Sequence, residues 1–170
     1  MEAWAHGVNT LAKIANRYPQ SAYAVLGMSL QLEWQYVKRT VPGVGSLMGP
    51  IEDSLREAFF PALFGVEEVS VDLIKILGHS VKRGGLGILE PRLLAKRAYN
   101  ISKASSEVLV GSCIVGTDLK YVEHKGCVRR AIADGKEQRK FLEKAVMTRH
   151  KKLAYKSGLN CLRQETENGA

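Results

Sequence analysis

The chain has 170 residues, is 45% hydrophobic, carries a formal net charge of +8 and contains three widely spaced cysteines. This length supports a real core in one domain or two small ones, and the cysteines indicate a reducing compartment rather than a disulfide framework. Apolar runs are too short to cross a membrane and the N-terminus lacks a secretory pattern, so we expect an intracellular protein, nuclear or cytoplasmic, outside the membrane.

Helical periodicity predicts two helices before residue 42. The first runs from about Ala3 to Tyr18, where Pro19 stops the pattern. The second runs from about Ser21, its expected N-cap, to Val41. Its apolar positions follow steps of three and four and are Tyr23, Leu26, Leu30, Trp34, Val37 and Val41. We therefore expect Trp34 in the core.

A loop rich in glycine and proline covers residues 42–50, and shorter elements follow it. A helix is predicted from about Ile51 to Phe60, with Pro61 kinking or ending it. Another, with Ser70 as its N-cap, extends to about residue 80. A basic, glycine-rich turn covers residues 82–88, and Pro91 then begins a longer helix that reaches about residue 110.

The last segment, from about Tyr121 to Tyr155, predicts one long helix or two joined near Asp134 and Gly135. Two stripes separate on an ideal helix that advances about 100° per residue. The apolar stripe contains Val128, Ile132, Leu142, Val146 and Leu153, and the basic stripe contains Lys125, Arg129, Lys136, Lys140, Lys144 and Lys151. The pattern predicts an all-α bundle of about five to six helices that ends in a long basic helix.

The positive charge lies in the second half of the chain. Residues 1–90 carry 8 basic and 9 acidic side chains, whereas residues 91–170 carry 17 and 8. A concentrated positive field attracts phosphate chains and releases their condensed counterions on binding. Tyr121 and Tyr155 bracket the basic helix and are candidates to stack on bases. The alternative is an ordinary solvated face.

No motif in the sequence is complete enough to indicate catalysis, a metal or a cofactor. Gly84, Gly85 and Gly87 lack the Gly-Lys-Ser/Thr and the strand that a nucleotide-binding loop requires, so a structural turn is favoured. His124 and Cys127 are correctly spaced for two zinc ligands, but the other two ligands are missing. The four aspartates stand apart from one another, unlike the carboxylates that a polymerase gathers around metal ions.

Several segments resemble the region that follows the polymerase active site in reverse transcriptases of LINE-like, non-LTR retrotransposons. They are LQLEWQYV (30–37), PIE (50–52), FPALFG (60–65), HSVKRGGLGI (79–88) with Pro91, AYN (98–100) with SK (102–103), VLVGS (108–112) and 121–130. The glycine run after a basic helix end, followed by a proline, is the most recognisable of them.

The resemblance implies a thumb and post-thumb region, which holds the template–primer duplex behind the catalytic palm. The family's Tyr-x-Asp-Asp motif is absent, as are the segments of fingers, palm and endonuclease. We therefore expect a fragment of an RNA-directed DNA polymerase that has no activity alone, with the remaining parts of a polymerase as further partners. Residues 1–90 would form a thumb-like segment and residues 91–170 a basic segment that binds nucleic acid.

The leading hypothesis is non-specific binding of RNA, DNA or their hybrid through phosphate contacts. The expected contacts are Lys125, Arg129, Arg130, Lys136, Lys140, Lys144 and Lys151, with Lys82 and Arg83 as a second contact. One alternative is an interaction module whose apolar helical stripe docks into an acidic protein partner. Another is an inactive relic.

Overall fold

A computed structural model describes the backbone of residues 1–167 and the side chains of residues 1–149. The predicted all-α class is confirmed, since no residue in 1–167 lies in a strand. Two pairs of α-helices are joined end to end through π-helical turns, at residues 19–40 and 49–64. If each pair is taken as one rod, the described chain has six helical rods. Among the described residues, no helix combines the length and apolar character needed to cross a membrane.

The first two predicted helices are present with shifted ends. Helix α1 is Glu2–Ala15. Helix α2 (Pro19–Val25) continues through a π turn (Leu26–Leu30) into α3 (Gln31–Thr40). The prediction that Ser21 caps this rod is wrong, because Tyr18 is the N-cap and Pro19 lies in the first turn. Proline is favoured there for two reasons. Its fixed φ suits the helix, and an N–H at this position would have no partner within the helix, so its absence costs nothing.

Pro61 does not end its helix, which was one of the two predicted outcomes. After a 3-10 turn (Val44–Met48), helix α4 (Gly49–Ser54) leads through a π turn (Leu55–Phe59) into α5 (Phe60–Phe64). Pro61 thus stands in the first turn of α5, where a missing amide hydrogen is tolerated. The rod ends instead at Gly65, whose φ of 66° is left-handed.

The later helices follow the predicted signals more closely. Helix α6 is Val71–Leu77, and the Ser70 hydroxyl caps it by accepting a hydrogen bond from the Leu73 amide at 3.3 Å. Helix α7 (Pro91–Val115) begins at the predicted proline and runs five residues further than expected, to the left-handed Gly116. Helix α8 is a single element, Tyr121–Glu167, so the alternative of two helices joined near Asp134 is wrong.

The core lies among the rods of the first half of the chain. Trp34 is fully buried there, as predicted. The other large apolar side chains of this core that have essentially no exposure are Val8, Leu26, Met48, Ile51 and Phe59. Helix α7 packs on α3 and on the Val44–Met48 turn. A Cβ on Gly45 would lie 3.2 Å from both the Ala95 Cβ and the Arg92 carbonyl oxygen, so small residues allow this close packing.

The chain divides into two units, Met1–Lys136 and the part from Glu137 onward. The predicted division into a thumb-like segment (1–90) and a basic segment (91–170) stays a prediction, while residues 91–136 belong to the first unit. The reason is the packing of α7 on α3 and on the Val44–Met48 turn, with Ala95 buried in the core.

Candidate nucleic-acid interface

Four predicted contact residues lie on α8 within the first unit. Lys125, Arg129, Arg130 and Lys136 are all exposed. Ideal helical geometry places Lys125, Arg129 and Lys136 within about 40° of one another, with Arg130 about 100° from Arg129. The structure therefore brings three of these cations to one side of their helix.

The second unit contributes two further predicted cations. Lys140 and Lys144 are exposed and lie about 40° apart around the helix axis. The Arg139 Nε donates a hydrogen bond to the Glu143 carboxylate at 2.9 Å, and Glu143 is buried. This acid falls in the same helical sector as Lys140, but it is already bonded to Arg139. The predicted contact Lys151 lies outside the residues whose side chains are described.

The apolar stripe of α8 is less buried than the sequence predicted. Ile132 is 45% exposed and Leu142 is 44% exposed, while Val128 and Val146 are only partly buried. In the first unit, the buried positions of α8 are Ala131 and Gly135. Ile101 on α7 comes close to Gly135, since a Cβ on Gly135 would lie 2.6 Å from the Ile101 Cδ1 atom. A pattern based on large apolar residues misses such a seam.

Tyr121 offers an aromatic surface at the start of α8. Its side chain is 63% exposed, and the Lys125 ammonium lies 5.8 Å from the ring centroid. An exposed ring beside a cation can stack on a base while the cation contacts a phosphate. The other predicted stacking residue, Tyr155, lies outside the described side chains.

The second predicted contact stands on a separate element. Lys82 and Arg83 are exposed on a 3-10 turn (Val81–Arg83), which ends at Gly84 with a φ of 80°. Gly85 follows, and a Cβ there would collide with the carbonyl oxygen of His79. The glycine run is therefore required by a tight backbone approach, in agreement with the structural turn favoured from the sequence.

Two residues outside the predicted contact set hold this glycine-rich turn in place. The Tyr23 hydroxyl donates a hydrogen bond to the Leu86 carbonyl oxygen at 2.6 Å. The Gln31 side chain donates to the Gly87 carbonyl oxygen at 3.3 Å and accepts from the Leu89 amide at 3.2 Å. Gln31 is buried, and a polar side chain one helical turn before Trp34, on the side of the helix predicted to be buried, was the available signal.

The arrangement offers non-covalent contacts to a polyanion. Among the described residues, no group of three or more His, Cys, Asp and Glu side chains is placed to hold a metal ion. Asp53 and Asp72 each form an ion pair on their own helix, with Arg56 and Lys75 respectively. The surface presents the cations of α8, the exposed ring of Tyr121, and two basic residues, Lys82 and Arg83, on the glycine-rich turn.

Comparison with known proteins identifies no relative of this chain. No protein-family model, no curated protein and no solved structure matches the chain.

Proposed function

We propose that this chain binds RNA, DNA or their hybrid through the cations of α8, without reading the base sequence. It would act as a non-catalytic fragment of a reverse transcriptase of the LINE-like type. The observation that carries the proposal is the exposure of six predicted contact residues on one helix, namely Lys125, Arg129, Arg130, Lys136, Lys140 and Lys144. Side chains of this type neutralise phosphates and release counterions.

The distribution of acids supports the proposal. Glu123 and Asp134 lie on the side of the ideal helix away from the centre of the cationic stripe, at roughly 110–130° from it, while Glu137 lies at the edge of the stripe, about 20° from Lys144. Glu143, the acid nearest that centre, is occupied by Arg139. Most of the positive potential of these cations is therefore available to attract a polyanion. Lys82 and Arg83 form a second positively charged position.

Titration of a short fluorescent RNA–DNA duplex at several salt concentrations tests the proposal. Six phosphate contacts predict a fall in affinity of about a thousandfold between about 50 and 200 mM salt. Duplexes of unrelated sequence should bind equally well, because phosphate contacts carry no sequence information. A flat response to salt would refute the proposal.

Charge reversal locates the binding surface. The triple variant Lys136→Glu, Lys140→Glu and Lys144→Glu should abolish binding. The matched control is Lys13→Glu, Arg17→Glu and Arg39→Glu, which makes the same change in net charge at exposed positions outside α8. If the two triple variants lose affinity to the same extent, net charge rather than α8 determines binding.

A second candidate function is supported by the partial exposure of the apolar stripe on α8. Ile132 and Leu142 each leave more than two fifths of their surface in contact with solvent. Such a face can dock into the groove of an acidic protein partner. Under this function, generic duplexes would not bind the unmodified chain at any salt concentration, which separates it from the first.

A further inference from the structure

An open pocket lies in the first unit, away from the helix proposed to bind nucleic acid. It has a volume of about 130 Å³ and is formed by α4 with its π turn, α5, α6 and the segment leading into α7. Its floor is apolar, because Leu55, Phe60 and Ile88 are buried there. A cavity of roughly 150 Å³ accommodates one benzene ring, so this pocket is suited to a single compact apolar group.

The cations at the rim of the pocket are already paired. The Arg56 guanidinium lies 3.1 Å from the Asp53 carboxylate and 2.9 Å from that of Glu57. The Lys75 ammonium lies 3.6 Å from the Asp72 carboxylate. These three acids compensate both cations, so neither attracts a ligand anion strongly.

The acids at the rim are less well compensated. Glu52 faces Arg92 at a loose Nε–Oε2 distance of 3.8 Å. Glu90 forms no ion pair with any side chain that the structure describes. Burial and the nearby Glu90 carboxylate raise the pKa of Glu52, as expected where negative charge is poorly neutralised. The pocket therefore combines an apolar floor with incompletely neutralised negative charge at its mouth.

We propose that this pocket binds a small organic cation, in which one aromatic ring or branched aliphatic group carries an ammonium one or two carbons away. The apolar body occupies the space over Leu55, Phe60 and Ile88. The ammonium lies at the mouth between Glu52 and Glu90. Charge complementarity selects this class over neutral or anionic molecules of the same shape.

Methyl NMR of the full chain tests the proposal with benzylammonium as the probe. We expect saturable shifts at the methyl groups of Leu55, Ile74 and Ile88, with a dissociation constant on the order of millimolar for so small a ligand. Benzyl alcohol should bind severalfold more weakly and benzoate should not bind. The absence of saturable shifts, equal binding of benzyl alcohol or tighter binding of benzoate would each overturn the proposal.

Substituting the acids by glutamine tests whether Glu52 and Glu90 cause the preference for a cation. Glu52→Gln and Glu90→Gln should each weaken benzylammonium binding roughly three- to fivefold, the scale of a partly exposed ion pair. The control is Glu67→Gln, an exposed acid outside the pocket, which should leave the affinity unchanged. The remaining methyl signals report whether each variant stays folded. Equal weakening in all three variants would mean that the pocket responds to overall charge only, and would refute the assignment.

Discussion

Lys38 is a single buried side chain whose charge lowers the stability of the folded protein. The residue is 1% exposed on α3, and its side chain has no ion-pair partner among the described residues. Burial, followed by the positive charge of Arg39, lowers the pKa of Lys38 to about 8 from an ordinary 10.5. Because the unfolded chain binds this proton more strongly, the charged form costs stability at neutral pH. That cost is relieved as pH rises from about 8 toward 10.5.

We expect Lys38→Met to stabilise the protein at pH 7. Methionine keeps the unbranched shape and removes the buried charge, so the free energy of unfolding should rise by on the order of 2 kcal/mol. The advantage over the wild type should shrink at pH 10, where the native lysine is already neutral. Urea unfolding at both pH values measures it, and Lys13→Met, at an exposed position, is the control that should change little. A variant less stable than the wild type at pH 7 would contradict this account.

At the scale of elements, two local signals in the sequence placed helix starts correctly, although the Ser21 cap was wrong. Ser70 and Pro91 begin their helices as predicted, because capping and proline preference depend on neighbours in the chain. Trp34 is in the core because a regular stripe of apolar residues has only one favourable side to bury. The predicted binding cations on α8 with described side chains are exposed, while their contact with nucleic acid remains a prediction.

The features that were missed depend on contacts between elements distant in sequence. Gln31 bonds to a turn more than fifty residues away, which no periodicity reveals. The continuation of the rod past Pro61 depends on a π turn, and the burial of α8 at Gly135 depends on Ile101. Hydrophobic patterning assigns glycine no packing role, so it shifted the expected buried face toward Ile132 and Leu142.

The contact between α7 and α8 predicts opposite outcomes for two glycines on the same helix. Gly126→Ala meets no atom nearer than 3.9 Å and should stabilise by about 1 kcal/mol through helix propensity. Gly135→Ala places its methyl 2.6 Å from the Ile101 Cδ1 atom, so that gain should be lost to repacking. Adding Ile101→Val removes the clashing methyl and should restore the gain. Thermal unfolding of the three variants measures this coupling; equal stabilisation by both single variants would show that the seam is loose.

For the whole molecule, charge and core occupy different parts of the chain. Among residues 1–149, the fully buried large side chains all lie before residue 92, whereas the excess of positive charge lies after residue 90. The first unit, Met1–Lys136, contains this core together with four of the cations proposed on α8. Folding and binding should therefore be separable.

Ending the chain after Lys136 should leave a folded protein with weaker binding to nucleic acid. The buried residues of the core are retained, so circular dichroism should show cooperative unfolding near the original midpoint. Removal of Lys140, Lys144 and Lys151 should reduce the slope of log affinity against log salt by about 2–3, since each lost phosphate contact contributes roughly 0.9. The full chain with glutamine at those three positions should show the same reduction without truncation. If it instead keeps the original slope while the truncated chain loses it, the second unit contributes to binding by some means other than these charges.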